Sequence, residues 1–217
     1  MTAYQMIYTA CGKDRSGAFG VWSKSKELSK QECDEIIKLM NYRKPRNAPY
    51  EPTEEELRTL FPKKYAFFGL SSGRVCIAQS SFVGNVYSDL DGRSGNFLIH
   101  AFVFDRLGDV NPFFMFDYDG FKSALTYKEW HDDPIPDYLP EQEISIHADS
   151  GKFRIDDLVS PSVKESFPLL LEAVIRSAEG DTDVVFVDSE ENQKNIYRAI
   201  GLLLPESIQE MYLPVQF

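Results

Sequence analysis

Cysteine and histidine are scarce in this chain, three of each among 217 residues. Cys11, Cys33 and Cys76 are odd in number, far apart and without a C-x-x-C spacing. A disulfide framework is therefore not expected, and a reducing cytoplasm fits best. Four zinc ligands at short spacing cannot be assembled from these residues, so no metal site is expected. Long apolar runs are missing too: nothing approaches the roughly 18–20 residues that cross a bilayer. The start, Met1-Thr2-Ala3-Tyr4-Gln5, lacks the basic flank and apolar core of a secretory signal.

Basic charge is the other deficit, with 23 Lys+Arg against 34 Asp+Glu and a net charge of −11. Residues 1–75 carry 13 basic against 9 acidic side chains, while residues 76–217 carry 10 against 25. The acidic majority repels phosphate backbones, so general nucleic-acid binding is disfavoured. The basic stretch from Lys24 to Lys64 reads as solvated helix and loop, or as a face that meets an acidic surface.

The first two thirds read mainly as β-structure. Gln5 to Thr9 alternates as a strand, and Phe19 to Ser23 as its return. Ser29-Lys30-Gln31-Glu32 is a capping box that predicts a helix from about Lys30 to Tyr42, and Thr53 to Glu56 is a second box. Tyr65–Leu70 and Arg74–Phe82 are apolar runs joined at Ser71-Ser72-Gly73, a hairpin signal. Asn96 to Phe104 is nearly continuous in apolar character, which predicts burial on both faces. Pro112, Pro134, Pro136 and Pro140 mark a loop-rich region with a short helix around Ser123 to Trp130.

The last third predicts a helix from Ser160-Pro161 to about Glu179, a short strand over Val184–Val187, a helix from about Glu190 to Leu204, and an extended Tyr212 to Phe217. The fold class expected is α+β: an antiparallel-rich mixed sheet with flanking helices and a C-terminal strand-helix-strand segment. Residues 1–217 read as one α+β domain, whose apolar Tyr212–Phe217 is either a docked final strand or a boundary inside a longer protein.

Gly12 to Gly17 copies the first six positions of a phosphate-binding loop, but Ala18 and Phe19 stand where Lys and Ser or Thr must reach the phosphates and magnesium. A nucleotide hydrolase is not expected. Asp89-Leu90-Asp91-Gly92 and Asp117-Tyr118-Asp119-Gly120 lack the later ligands of a calcium loop and read as turns. His131 and His147 have no partner at metal spacing.

Arg93-Ser94-Gly95-Asn96-Phe97-Leu98-Ile99-His100 carries the most chemistry. Asn96 and His100 are four apart, so on a strand both point to one face and must find hydrogen bonds there. They form either a structural network or a ligand-contacting cluster. A catalytic version would pair Cys11 as nucleophile with His100 as base and Asn96 or Asp105 as orienter.

Several short motifs recur in a telling order: Tyr8-Thr9-Ala10-Cys11 with Gly17-Ala18-Phe19-Gly20-Val21; Arg93-Ser94-Gly95-Asn96-Phe97 with His100; Trp130 with Leu139-Pro140; Val185–Asp188 with Ile196–Ile200; and Leu203-Leu204-Pro205. Together they resemble the N-terminal domain of the bacterial GTPase-associated protein 1 family, which implies that residues 1–217 are the N-terminal part of a longer protein. The resemblance runs from about residue 4 to 217 and rests on the order of short motifs. It implies a protein partner, with a GTPase as the candidate, and transfers Arg93, Gly95, Asn96 and His100 as signature positions. The leading expectation is thus a non-enzymatic scaffold or adaptor domain in a bacterial signalling or conflict system, with no cofactor. The alternatives are a cysteine-dependent hydrolase using Cys11 and His100, and a sensor in which Arg93 and Asn96 hold a small ligand.

Overall fold

The computed structural model describes residues 1–10, 18–43, 49, 52–53, 55–56, 60–84, 95–108, 110–147, 153–178, 190–204 and 215–216. Its strands are β1 (Thr2–Ala10), β2 (Phe19–Lys24), β3 (Lys64–Gly69), β4 (Val75–Gly84), β5 (Asn96–Phe104), β6 (Gln142–Glu143) and β7 (Val215–Gln216). The helices are α1 (Lys30–Met40), α2 (Ile155–Leu158), α3 (Pro161–Lys164), α4 (Phe167–Ala178) and α5 (Glu190–Leu203). The strands run in the order β2-β1-β5-β4-β3-β7, with β6 added beside the start of β1. Every ladder among them is antiparallel, and the one parallel pairing among the described residues is an isolated bridge between Val110 and Ile146. The class is α+β, as the sequence predicts.

The centre of the sheet is β5, all nine of whose residues are buried. Its alternation feeds two cores. Phe97, Ile99, Ala101 and Val103 pack with Cys33, Ile36 and Met40 of α1. Phe102 and Phe104 pack on the opposite face with Phe113, Phe114, Ile196 and Ile200. Both faces are thereby dry, which is why β5 reads as a continuous apolar run instead of an alternating one.

The Ser29–Glu32 capping box is present and opens α1, whose last turn ends at Met40 with Asn41 as cap. Lys64 Nζ donates to the Leu39 carbonyl, one of the acceptors a helix end leaves unpaired. The β3–β4 hairpin docks on the same helix. Ser71 N–H donates to Glu35 Oε2 at 2.9 Å, Ser72 Oγ donates to Glu32 Oε1 at 2.7 Å, and Gly73 takes φ +85° in the turn.

Two helical expectations are corrected. The helix expected to run unbroken from Ser160 to Glu179 is interrupted at Glu165–Ser166, giving α3 and α4. Pro168 explains the break: it has no N–H to donate to the Lys164 carbonyl, and its ring crowds that oxygen. The helix expected around Ser123 to Trp130 is a single π-type turn over Lys128–Asp132. The Thr53–Glu56 box forms, Glu56 N–H donating to Thr53 Oγ1 at 3.2 Å and Thr53 N–H to Glu56 Oε2 at 2.8 Å. The strand expected over Val184–Val187 lies outside the described residues, as do Gly12–Gly17 and Asp89–Gly92.

Candidate functional site

The antiparallel register aligns the ends of three strands, β1, β4 and β5. Tyr8 of β1 faces Ile99 of β5, and Gly84 of β4 faces Asn96 of β5. The chain leaving β1 after Ala10 and the chain entering β5 at Asn96 therefore meet the same end of the sheet. The sequence singles out this end, since Cys11 follows Ala10 and Arg93 precedes Asn96. Cys11 and Arg93 themselves lie outside the described residues.

Gly95 is exposed at the turn before β5, whereas Asn96 and His100 are each 3 % exposed. His100 stands opposite Ile7 of β1 and Gln79 of β4. Lys122 N–H donates to its Nδ1 at 2.8 Å. That acceptor role places the proton on Nε2, which donates to Gln5 Oε1 at 3.2 Å. Gln5 passes the chain on, Nε2 donating to the Pro140 carbonyl at 2.6 Å. Phe121 meets the imidazole edge-on at 6.0 Å, and Phe102 lies 4.4 Å away. Burial, with the nearby Lys122 charge adding to it, pushes His100 down to about 3. At neutral pH it is an uncharged imidazole with both nitrogens engaged.

His100 thus clasps a strap, residues 121–140, to the sheet. Gln79 Nε2 donates to Ser123 Oγ and to Ser81 Oγ, each at 3.0 Å. Trp130 Nε1 donates to the Ala10 carbonyl at 3.2 Å, and the Trp130 ring joins Ile7, Trp22, Leu98 and Leu125 in a small third core. The far end crosses β2, Leu139 N–H donating to the Lys24 carbonyl at 3.0 Å and Ser23 Oγ to the Pro136 carbonyl at 2.8 Å. The turn bearing Trp130 is opened by a capping box, Thr126 with Glu129. Burial raises the Glu129 carboxyl, but hydrogen bonds from Lys122 and Thr126 outweigh it and leave the group below the usual range.

Asn96 differs from His100. Its Oδ1 is buried without a hydrogen-bond partner among the described residues, as are Trp22 Nε1 and Ser80 Oγ. A desolvated, unpaired acceptor costs on the order of 1–3 kcal/mol.

The other polar groups are structural in arrangement. Asp117 accepts two bonds from Arg198, at 2.7 and 3.0 Å, and Asp119–Gly120 forms a turn. Asp105 accepts from Arg74 Nε at 2.9 Å; that guanidinium also stacks 4.7 Å over the Tyr4 ring and pairs with Glu32. Asp105 is therefore engaged away from His100. His131 bonds to its neighbour Asp132, and His147 to Ser145. No group of three or more His, Cys, Asp or Glu side chains suited to a metal ion occurs among the described residues. None of the described helices is long and apolar enough to cross a membrane.

The sequence reading missed Gln5, Gln79, Lys122 and Ser123. Gln5 and Gln79 carried a usable signal, each being a lone amide at a position that strand alternation turns inward. The Thr126-x-x-Glu129 box was legible by the same rule that found Ser29–Glu32.

Curated proteins and solved structures give no match to this chain. A family model does match: GTPase-associated protein 1, N-terminal domain type 2, over residues 2–143. That span holds β1 to β6, the strap and the Asn96–His100 strand, and stops before α2 to α5 and β7. On this match over more than half of its length, the chain belongs to the GTPase-associated protein 1 family, by its type 2 N-terminal domain.

Proposed function

We propose that this α+β domain is a non-enzymatic scaffold or adaptor within a longer protein, working beside a GTPase in a bacterial signalling or conflict system. The observation that carries the reading is the family match, whose description is GTPase-associated and N-terminal. The state of His100 supports it. A general base needs a ring nitrogen free to take a proton at working pH. Both nitrogens of His100 are engaged, Nδ1 by Lys122 of the strap and Nε2 by Gln5 of β1, and its basicity is suppressed to about 3. The alternative of a cysteine hydrolase would need His100 released from Gln5 and Lys122 before it could serve Cys11.

A second reading, a small-ligand sensor, draws on one observation: Asn96 Oδ1 is buried with no hydrogen-bond partner among the described residues, three positions after Arg93 in the sequence. An amide-bearing ligand would supply the missing donor.

The test is a pull-down from the native host with the full-length protein, with and without GTP, read by mass spectrometry. Specific recovery of a GTPase supports the adaptor reading; recovery of no GTPase under either condition removes it. The sensor reading is tested by thermal shift with amide-bearing small molecules. Stabilisation of the wild type that Asn96→Leu abolishes supports it, and equal shifts in both proteins refute it.

A further inference from the structure

Lys64 is placed unlike the other lysines of the fold. It opens β3 and shares the parity of Ala66 and Phe68, the β3 residues that pack with α1. The residue is half-buried, and its Nζ donates to the Leu39 carbonyl in the last turn of α1. Tyr42 Oη donates to the Pro62 carbonyl at 2.9 Å, which draws the chain after α1 against the start of β3 and sets the Arg43 charge near Lys64. Neither Arg43 nor Lys64 makes an ion pair among the described residues. Lys122, Lys128 and Lys164 differ in this, pairing with Glu129, Asp133 and Asp156. Opposite Lys64 in the β3–β4 ladder stands Ser80, fully buried, whose Oγ has no hydrogen-bond partner among the described residues.

From this arrangement we propose that Lys64 is an acylation site, whose Nζ takes the acyl group of a small anionic donor of the acyl phosphate class. An amine attacks only when neutral, and a lysine gives up its proton when it is desolvated or set beside another cation. Both conditions meet at Lys64, where burial and then the Arg43 charge hold the ammonium below the usual lysine range. The exposed Arg43 guanidinium offers the donor's phosphate a charged partner. In the step, the neutral amine adds to the acyl carbon and the C–O bond to phosphate breaks. Inorganic phosphate leaves with the bonding pair, and the surplus proton of the amine passes to solvent. The product is an amide whose N–H still serves the Leu39 carbonyl, and the Ser80 hydroxyl is an unspent donor for its oxygen. Acylation removes the charge, so the basic stretch from Lys24 to Lys64 loses a cation and α1 loses one at its negative end. This inference is independent of the adaptor and sensor readings.

The experiment uses the full chain. It is incubated with acetyl phosphate at neutral pH, and acetylation at each lysine is followed over time by peptide mass spectrometry. Lys64 should react at least threefold faster than Lys30 and Lys38, which are exposed on α1. Arg43→Gln, a change at an exposed position, should slow Lys64 at least twofold and leave Lys30 and Lys38 unchanged. A Lys64 that reacts no faster than those two overturns the proposal, and so does a Lys64 rate indifferent to Arg43→Gln. The same reaction in urea gives an independent reading. Unfolding should abolish the preference for Lys64, and a preference that survives it would lie in the local sequence and refute a site built by the fold.

Discussion

Acid should strip stability from this protein through His100 before the carboxylates matter. In the unfolded chain the imidazole takes a proton near its ordinary 6.5, whereas in the fold burial and Lys122 hold it to about 3. Between those values the unfolded state binds more protons, so unfolding becomes easier as pH falls. The contribution is fully present above 6.5 and is lost at about 1.4 kcal/mol per pH unit below it. From pH 7 to pH 5 the loss is about 2 kcal/mol, which lowers a urea midpoint by roughly 1 M. His100→Asn removes the titration while offering Oδ1 as acceptor for the Lys122 N–H. It should be less stable than wild type at pH 7, by roughly 2 kcal/mol, since Gln5 Oε1 loses its donor. Its stability should barely change between pH 7 and 5. The assay is urea unfolding at pH 7, 6 and 5, followed by fluorescence of Trp22 and Trp130, both buried in the core that the strap completes. Parallel pH profiles for the two proteins would refute the account, because every group except His100 is shared between them.

Other perturbations test the surrounding frame. Glu32 is 3 % exposed; burial raises its carboxyl, and bonds from Ser29 and Ser72 with the Arg74 charge bring it below the usual range. Glu32→Ala should cost about 2–3 kcal/mol, seen as a lowered Tm, because it removes a helix cap and the hairpin's anchor together. A Cβ on Gly201 of α5 would lie 2.4 Å from Phe113 Cβ, so Gly201→Ala should lose about 1–3 kcal/mol in chemical denaturation, and a neutral result would show that α5 shifts freely. Trp130→Phe keeps most of the ring but strands the Ala10 carbonyl, and should cost about 1–2 kcal/mol with faster amide exchange across 121–140.

What the sequence made legible is what depends on local pattern. Ser29–Glu32 announces α1 because a capping box is satisfied within four residues, and Asn96–Phe104 announces a doubly covered strand because both parities are apolar. The alternation also placed Asn96 and His100 on one face. Partnership across the chain was not legible. Lys122 reaches His100 through a backbone N–H, which carries no residue-type signal, and Gln5 meets it only once β1 and β5 are in register. The α3–α4 break was written in Pro168 and was outweighed by the apolar periodicity around it.

The register also separates the two signature side chains by role. His100 lies four residues inside β5, where neighbouring strands and the strap surround it, and every polar atom of its ring is matched. Asn96 lies at the strand's entrance, equally buried, with an acceptor left unmatched among the described residues. Two polar residues on one face would be expected to share one explanation if both served packing. Asn96→Leu therefore divides the readings. If Asn96 is only a frame residue with a cost, apolar replacement at similar volume should leave stability unchanged or raise it by up to about 1–3 kcal/mol, since the desolvated amide is gone. If Oδ1 is kept for a donor from outside, the same substitution should leave the isolated domain as stable or more so, and abolish capture of the ligand. A stability loss above 2 kcal/mol without any ligand present would contradict both and make Asn96 a structural hydrogen-bonding residue of the fold.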